Sequence, residues 1–369
     1  MYGTAGDRLP LRATGGCADR AHRVRVHRER GHHRYRRRGL PVSPGRHRPR
    51  RLRRTAALRR LTAEVSMHPG GLVQPIFVRD GIDSPREIPA MPGQLQHSLA
   101  SAVRAAADAA AAGVGGVMLF GIPSVKDETG REASDPDGIM QRALRAVTAE
   151  VGDGIVVIGD VNLDEYTTHG HSGVLAADGD VDNDTSIARF AEVAVAQADA
   201  GAHMVAPSGM MDGQDGAMRD ALDAAGHQGV AIMAYAAKFA SSFYGPFRDA
   251  VESSLTGDRK TYQQFPGNRR EAVREVLLDI EQGADIVMVK PALPYLDVIT
   301  RVADRTHLPV AAYQVSGEYI MVESAAAQGG LNRANAISEC LLSIRRAGAS
   351  IIVTYWATEA ATSLLTNEY

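Results

Sequence analysis

At 369 residues the chain has room for one large barrel or two medium domains, and with 44% hydrophobic residues it can bury a sizeable core. Its only cysteines, Cys17 and Cys340, exclude a disulfide framework and any multi-cysteine metal site and suit a reducing cytoplasm. The net charge of −2 hides an asymmetry: residues 1–60 hold 19 arginines, no lysine and three acids, for +16, so the remainder carries −18.

Residues 1–48 form the arginine-rich head, for which no order is expected. Three readings compete: a GC-rich frame translated upstream of the true start, a working disordered tail such as a nucleic-acid arm, and a targeting peptide. The head lacks interleaved aromatics beyond Tyr2 and Tyr35 and is not serine-rich, so neither nucleic acid nor an organelle is the expected destination. Residues 49–72 read as an N-terminal arm, with Pro49–Arg60 a basic arm or short helix. From there short β-rich runs recur at Gln74–Val78, Gly116–Phe120, Ile155–Asp160, His203–Ala206, Val230–Tyr235, Asp285–Lys290, Val310–Gln314 and Ser350–Tyr355. Alanine-rich stretches with apolar residues three to four apart separate them, among them Leu99–Ala112, Ser186–Ala200, Arg269–Gln282 and Ala334–Arg346. Several end at a glycine (Gly201, Gly283, Gly348), which can adopt the left-handed conformation that stops a helix. Strands that are apolar throughout imply burial on both faces, hence a parallel sheet covered by helices. Eight strand–helix units predict a TIM (β/α)8 barrel over residues 73–369, with a doubly wound open sheet as the competing fold. No apolar run reaches the ~18 residues that span a bilayer, and no partnership with a membrane is expected.

In such a barrel the catalytic face lies at the C-terminal ends of the strands. That rim would gather Asp160, Ser208, Asp212, Lys238, Lys290, Ser316 and Tyr355. The chain has only four lysines, and two of them, Lys238 and Lys290, close apolar runs. Desolvation lowers an ammonium group from about 10.4, and a second ammonium on the adjacent strand lowers it further. The partly neutral amine can then attack a ketone or aldehyde to form a Schiff base. Either lysine alone would read as an ion-pair partner; the pair points to chemistry. A loop bounded by Gly245-Pro246 and Pro266-Gly267 carries Arg248, Arg259, Lys260 and Gln263. It reads as a clamp for an acid substrate and a lid, because guanidinium forks grip carboxylates at two points; a solvated basic loop is the bland alternative. The segment Asp160–Gly173 invites a metal through Asp160, Asp164, His169 and His171, although a His-x-His pair without a third ligand is more often structural.

Six stretches resemble one family: HPGGLVQPIFV (His68–Val78), AKFASSFYGPFRDA (Ala237–Ala250), DRKTYQ (Asp258–Gln263), MVKPALPYLDVI (Met288–Ile299), YQVSGEY (Tyr313–Tyr319) and VTY (Val353–Tyr355). The family is that of 5-aminolevulinate dehydratase, or porphobilinogen synthase, and the likeness runs from about Pro49 to Asn367. It implies a cytoplasmic lyase that condenses two 5-aminolevulinate molecules into porphobilinogen in tetrapyrrole (heme) biosynthesis. By this resemblance Lys290 binds the first substrate as a Schiff base, with Ser316 and Tyr355 on its carboxylate. Lys238 binds the second, with Arg248, Arg259 and Gln263 on its carboxylate, and Asp160 assists proton transfer. Zinc-using members carry cysteines at the positions of Asn162, Asp164 and Ser172, so a thiolate zinc site is not expected and only Asp164 matches magnesium-type members. Glu275 matches an activating, allosteric magnesium position, and a homo-octamer is implied. Gly209 and Gln214 depart from the family's Asp and Arg. A class I aldolase is the rival enzyme, disfavoured because it needs one lysine.

Overall fold

The computed structural model describes residues 47–364. The arginine-rich head therefore lies outside the described residues save for His47 and Arg48. Internal contacts divide the chain into Met1–Thr55 and Ala56–Tyr369. In the first unit the described residues form one 3-10 helix, Pro49–Arg53, with no buried residue. The second opens on a short helix, Ala56–Leu61. No helix among the described residues is long and apolar enough to cross a membrane.

Eight parallel strands of the second unit close a barrel: β1 (Leu72–Arg79), β2 (Gly116–Ile122), β3 (Val156–Val161), β4 (Met204–Pro207), β5 (Ala231–Lys238), β6 (Ile286–Lys290), β7 (Val310–Gln314) and β8 (Ile351–Thr354). Closure is made by β8 on β1, with Leu72 opposite Ile352 and Val73 opposite Val353. All eight predicted strands are present. A TIM barrel is the observed fold, and closure removes the open-sheet alternative. Burial on both faces explains the unbroken apolar runs: every residue of β2 is buried. Tyr235 and Tyr313, both fully buried, help fill the interior, their ring centres 6.4 Å apart.

Alanine suits the outer ring because small side chains let helices lie close to the sheet. In the Leu99–Ala111 helix, Ala102, Ala106 and Ala109 are fully buried, and their spacing of four and three residues draws one stripe. The predicted glycine stops are real: Gly201, Gly283 and Gly348 take φ of 93°, 104° and 117°, a region costly for other residues. Helices at Ile139–Val151, Gln214–Ala224, Leu296–Ala303 and Ser316–Ala327 lie between the strands as the eight strand–helix units require, and a small hairpin, Arg86–Glu87 with Leu95–His97, is an addition the sequence does not announce.

One irregularity positions the site. Between β5 and β6 the register runs from Met233 opposite Ile286 to Ala234 opposite Val287 and resumes as Ala237 opposite Val289, so β5 carries one extra residue. Without that bulge Lys238 would face Pro291. With it, Lys238 lies opposite Lys290. Because side chains alternate along a strand, a slip of one residue would send the two lysines to opposite faces of the sheet.

Candidate active site

The rim forms where the sequence places it. Lys238 and Lys290 end adjacent strands and are 4% and 6% exposed, so both ammonium groups face an environment that disfavours charge. Burial, then the nearby Arg259 guanidinium, brings Lys238 down to about 8. Burial, then the charge of Lys238, brings Lys290 down to about 7. The Lys290 Nζ lies 4.4 Å from the centre of the Tyr313 ring and 5.1 Å from that of Tyr235. Such faces attract a cation without supplying a proton acceptor. Lys238 Nζ donates to the Ser208 carbonyl oxygen at 2.5 Å. Ser208 Oγ in turn donates to Asp160 Oδ2 at 3.1 Å, while Asp160 Oδ1 has no partner. Burial pushes Asp160 up to about 6 against the pull of both lysines. A carboxyl group that titrates there, beside two amines that titrate near neutrality, can pass protons at physiological pH.

The segment 240–263 covers this rim as a flap. Its base is pinned where Phe239 bridges Gln264, with Ala240 N–H donating to the Gln264 carbonyl and Gln264 N–H to the Lys238 carbonyl. On the flap, Phe247 lies 5.3 Å from Lys290 Nζ by its ring centre and its N–H donates to Ser316 Oγ at 3.0 Å. The space left beside the lysines is about 20 Å³, room for about one water. Glu252 fastens the flap: the side chain accepts from Arg79 Nε at 3.0 Å and Gln96 Nε2 at 3.2 Å. Its carbonyl accepts from Lys126 Nζ at 2.7 Å, and its φ is 52°, an uncommon value for a residue with a side chain.

The other predicted residues divide. Arg248, on the short helix Gly245–Ala250, lines the lysine cavity. Arg259 does too, but its guanidinium is engaged: Nη2 lies 2.6 Å from Asp164 Oδ2 and donates to the Gly170 carbonyl at 2.9 Å. Burial alone would raise the Asp164 carboxyl, yet Arg259 and Lys238 outweigh it and hold it below the usual carboxylate range. Ser316 is fully buried under Phe247, and the Tyr355 hydroxyl lies 3.2 Å from that of Tyr313, which puts both beside Lys290's aromatic surroundings. Gln263 is buried but lines a neighbouring cleft with Asp212 and Glu275. Asp212 is exposed there, away from the lysines.

The metal readings separate as well. Both ring nitrogens of His169 meet the backbone, Nδ1 accepting from His171 N–H and Nε2 lying 3.1 Å from the Glu128 carbonyl. His171 Nδ1 lies 3.1 Å from the Tyr262 hydroxyl, so three of the pair's four ring nitrogens already have partners. Asn162 Oδ1 accepts the N–H of Leu163, Ser172 offers only a hydroxyl, and Asp164 serves Arg259. This set fits no thiolate zinc site and leaves one carboxylate oxygen, Asp164 Oδ1, unpartnered. Glu275 stands differently. It lines a cleft with Asp212, Glu271 and Asp279, and burial and then Asp212 raise its carboxyl. Nearby Asp215 is fully buried, and burial pushes its carboxyl up to about 7. These side chains are not gathered closely enough to make a metal cluster, since no group of three or more His, Cys, Asp or Glu placed to hold a metal ion occurs among the described residues; a hard, hydrated dication would need only one or two carboxylates.

The loop that holds Gly209 and Gln214 is tightly packed and bonded. A Cβ at Gly209 would lie 2.3 Å from Phe190 Cζ, so the Phe190 ring fills the space of any side chain there. Gln214 Oε1 accepts the Met211 N–H at 3.1 Å, tying down the same loop.

Fold and site together define a TIM barrel with two buried amines abreast at the C-terminal rim of its strands. Comparison with known proteins narrows this. The family model for delta-aminolevulinic acid dehydratase matches residues 46–363. The delta-aminolevulinic acid dehydratase of Mycobacterium tuberculosis is 60% identical over 318 residues, covering 86% of this chain and 97% of that protein. That of Streptomyces coelicolor is 58% identical over 319 residues, with the same coverage. The chain belongs to the delta-aminolevulinic acid dehydratase family. A crystal structure of the Toxoplasma gondii enzyme (porphobilinogen synthase) in complex with the reaction product porphobilinogen matches with a TM-score of 0.84 and 42% identity, covering 86% of this chain and 91% of that one.

Proposed function

We propose that this protein condenses two molecules of 5-aminolevulinate into porphobilinogen, using Lys290 and Lys238 as Schiff-base nucleophiles. The observation that carries the reading is the register of Lys238 against Lys290, two desolvated amines in one cavity. Each neutral amine adds to a substrate ketone, and loss of one water gives the imine. Ser316 and Tyr355 hydroxyls hold the carboxylate of the substrate on Lys290, and Arg248 that of the substrate on Lys238. Arg259 joins that clamp only by releasing Asp164, an exchange of one carboxylate for another. Asp160 takes and returns protons as carbinolamines collapse and as the carbon beside one imine is deprotonated. One C–C bond and one C–N bond then form, both lysines are released, and two substrates yield one pyrrole and two waters with no net oxidation.

The Glu275 cleft is the proposed home of an activating magnesium ion, which Glu275 and Asp212 would hold and whose positive charge would offset the repulsion between their carboxylates. Family membership and the two-cysteine composition support a cytoplasmic homo-oligomer, an octamer by resemblance. Purified protein incubated with 5-aminolevulinate is expected to release a pyrrole that couples with an aldehyde dye. Absence of pyrrole, with substrate intact, would refute the activity.

A further inference from the structure

Glu318 is fully buried on the first turn of the Ser316–Ala327 helix. Its Oε2 accepts the N–H of Val315 at 2.6 Å and that of Ala292 at 3.3 Å. Its Oε1 accepts the N–H of Leu293 at 2.5 Å. Helix capping accounts for the bond to Val315 alone. The other two reach across to the loop that follows Lys290. One carboxylate therefore ties the end of β6, with its nucleophile, to the end of β7, with the hydroxyl that meets the substrate carboxylate. Ser316 sits next to Val315, and Ala292 lies two residues beyond Lys290, so each bond acts close to a group that touches substrate. A buried carboxylate holding three N–H donors is worth keeping only while all three stay in place, since each donor left unpaired costs the full desolvation of a polar group.

We infer that Glu318 is a positioning residue that sets the separation of Lys290 Nζ and Ser316 Oγ, and thereby selects ketones carrying a carboxylate two methylenes away. This rests on the proposed function. The strain of a misplaced partner falls on the substrate: a keto acid one methylene longer must buckle to reach both groups, whereas one of the right length meets them unstrained. Loosening the tie relaxes that choice.

The test compares borohydride trapping at Lys290, located by peptide mapping, for levulinate and the longer 5-oxohexanoate in the full chain. In the unaltered protein levulinate is expected to label about tenfold faster. In Glu318→Gln, which keeps the size but only one acceptor oxygen, the ratio is expected to fall to about two, with Glu318→Asp intermediate. A merely structural role would slow both labels and lower the thermal midpoint but leave the ratio unchanged, and that result would overturn the inference. Failure of both variants to fold would overturn it too, marking Glu318 as a stability residue. No labelling of Lys290 in the unaltered protein would take the proposed function down with it.

Discussion

Replacing Lys238 by Met tests whether the two amines tune one another. Their nitrogens lie 5.5 and 5.1 Å from the centre of the same Tyr235 ring, so they are no more than about 11 Å apart. Two like charges 6–10 Å apart repel by about 2–3 kcal/mol at an effective dielectric constant of about 20. That is about one to two pK units. Lys290 sits at about 7 through burial first and Lys238 second. Lys238→Met removes the second cause only, so Lys290 is expected to rise to about 8–9 and no further. Because the neutral amine is the nucleophile, labelling rises with pH through the pKa. The assay is borohydride trapping of 5-aminolevulinate at Lys290 from pH 5.5 to 9.5, read by peptide mass. The expected midpoint is near 7 in the unaltered protein and higher by about one to two units in the variant. An unchanged midpoint would show that burial alone tunes Lys290 and would refute the coupling.

Three other outcomes follow from the geometry. Gly209→Asp forces a Cβ into Phe190 and buries a carboxyl group, so chemical unfolding is expected to show a loss of about 2–4 kcal/mol. Phe190→Leu in the same chain should recover part of it, and an unchanged stability would contradict the packing argument. Glu252→Ala unfastens the flap; the half-exposed contact with Arg79 is worth at most about 1 kcal/mol, so proteolysis within 240–263 is expected to quicken up to about fivefold. An equal cleavage rate would mean the flap is held elsewhere. Magnesium is expected to raise the thermal midpoint of the unaltered protein and not that of Glu275→Ala. A rise of equal size in both would remove Glu275 from the cation site.

Much of the scaffold was legible because its signals are local. Apolar strands buried on both faces announce themselves as unbroken runs, and Gly201, Gly283 and Gly348 mark helix ends by the conformation they must adopt. The pair Lys238 and Lys290 stood out because lysine is rare in the chain and costly at a buried strand end. What stayed hidden depends on contacts between distant positions. The β5 bulge that brings the lysines abreast has no local signature in VAIMAYAAK. The pairing of Arg259 with Asp164 joins residues 95 positions apart, and Glu318 reads as an ordinary first-turn acid until its two bonds to the β6 loop are seen. Resemblance alone named Ser316 and Tyr355 as substrate binders, while Gln263 also stood in the loop read as an acid-substrate clamp. The first two lie by Lys290's aromatic surroundings, whereas Gln263 faces the acidic cleft of Glu275.

Saturating the protein with 5-aminolevulinate, reducing with borohydride and mapping the labelled peptides tests whether both lysines are covalent nucleophiles. Modification of Lys290 first, and of Lys238 at saturation, is the expected result. Labelling of neither lysine would show that the two amines do not form Schiff bases with substrate.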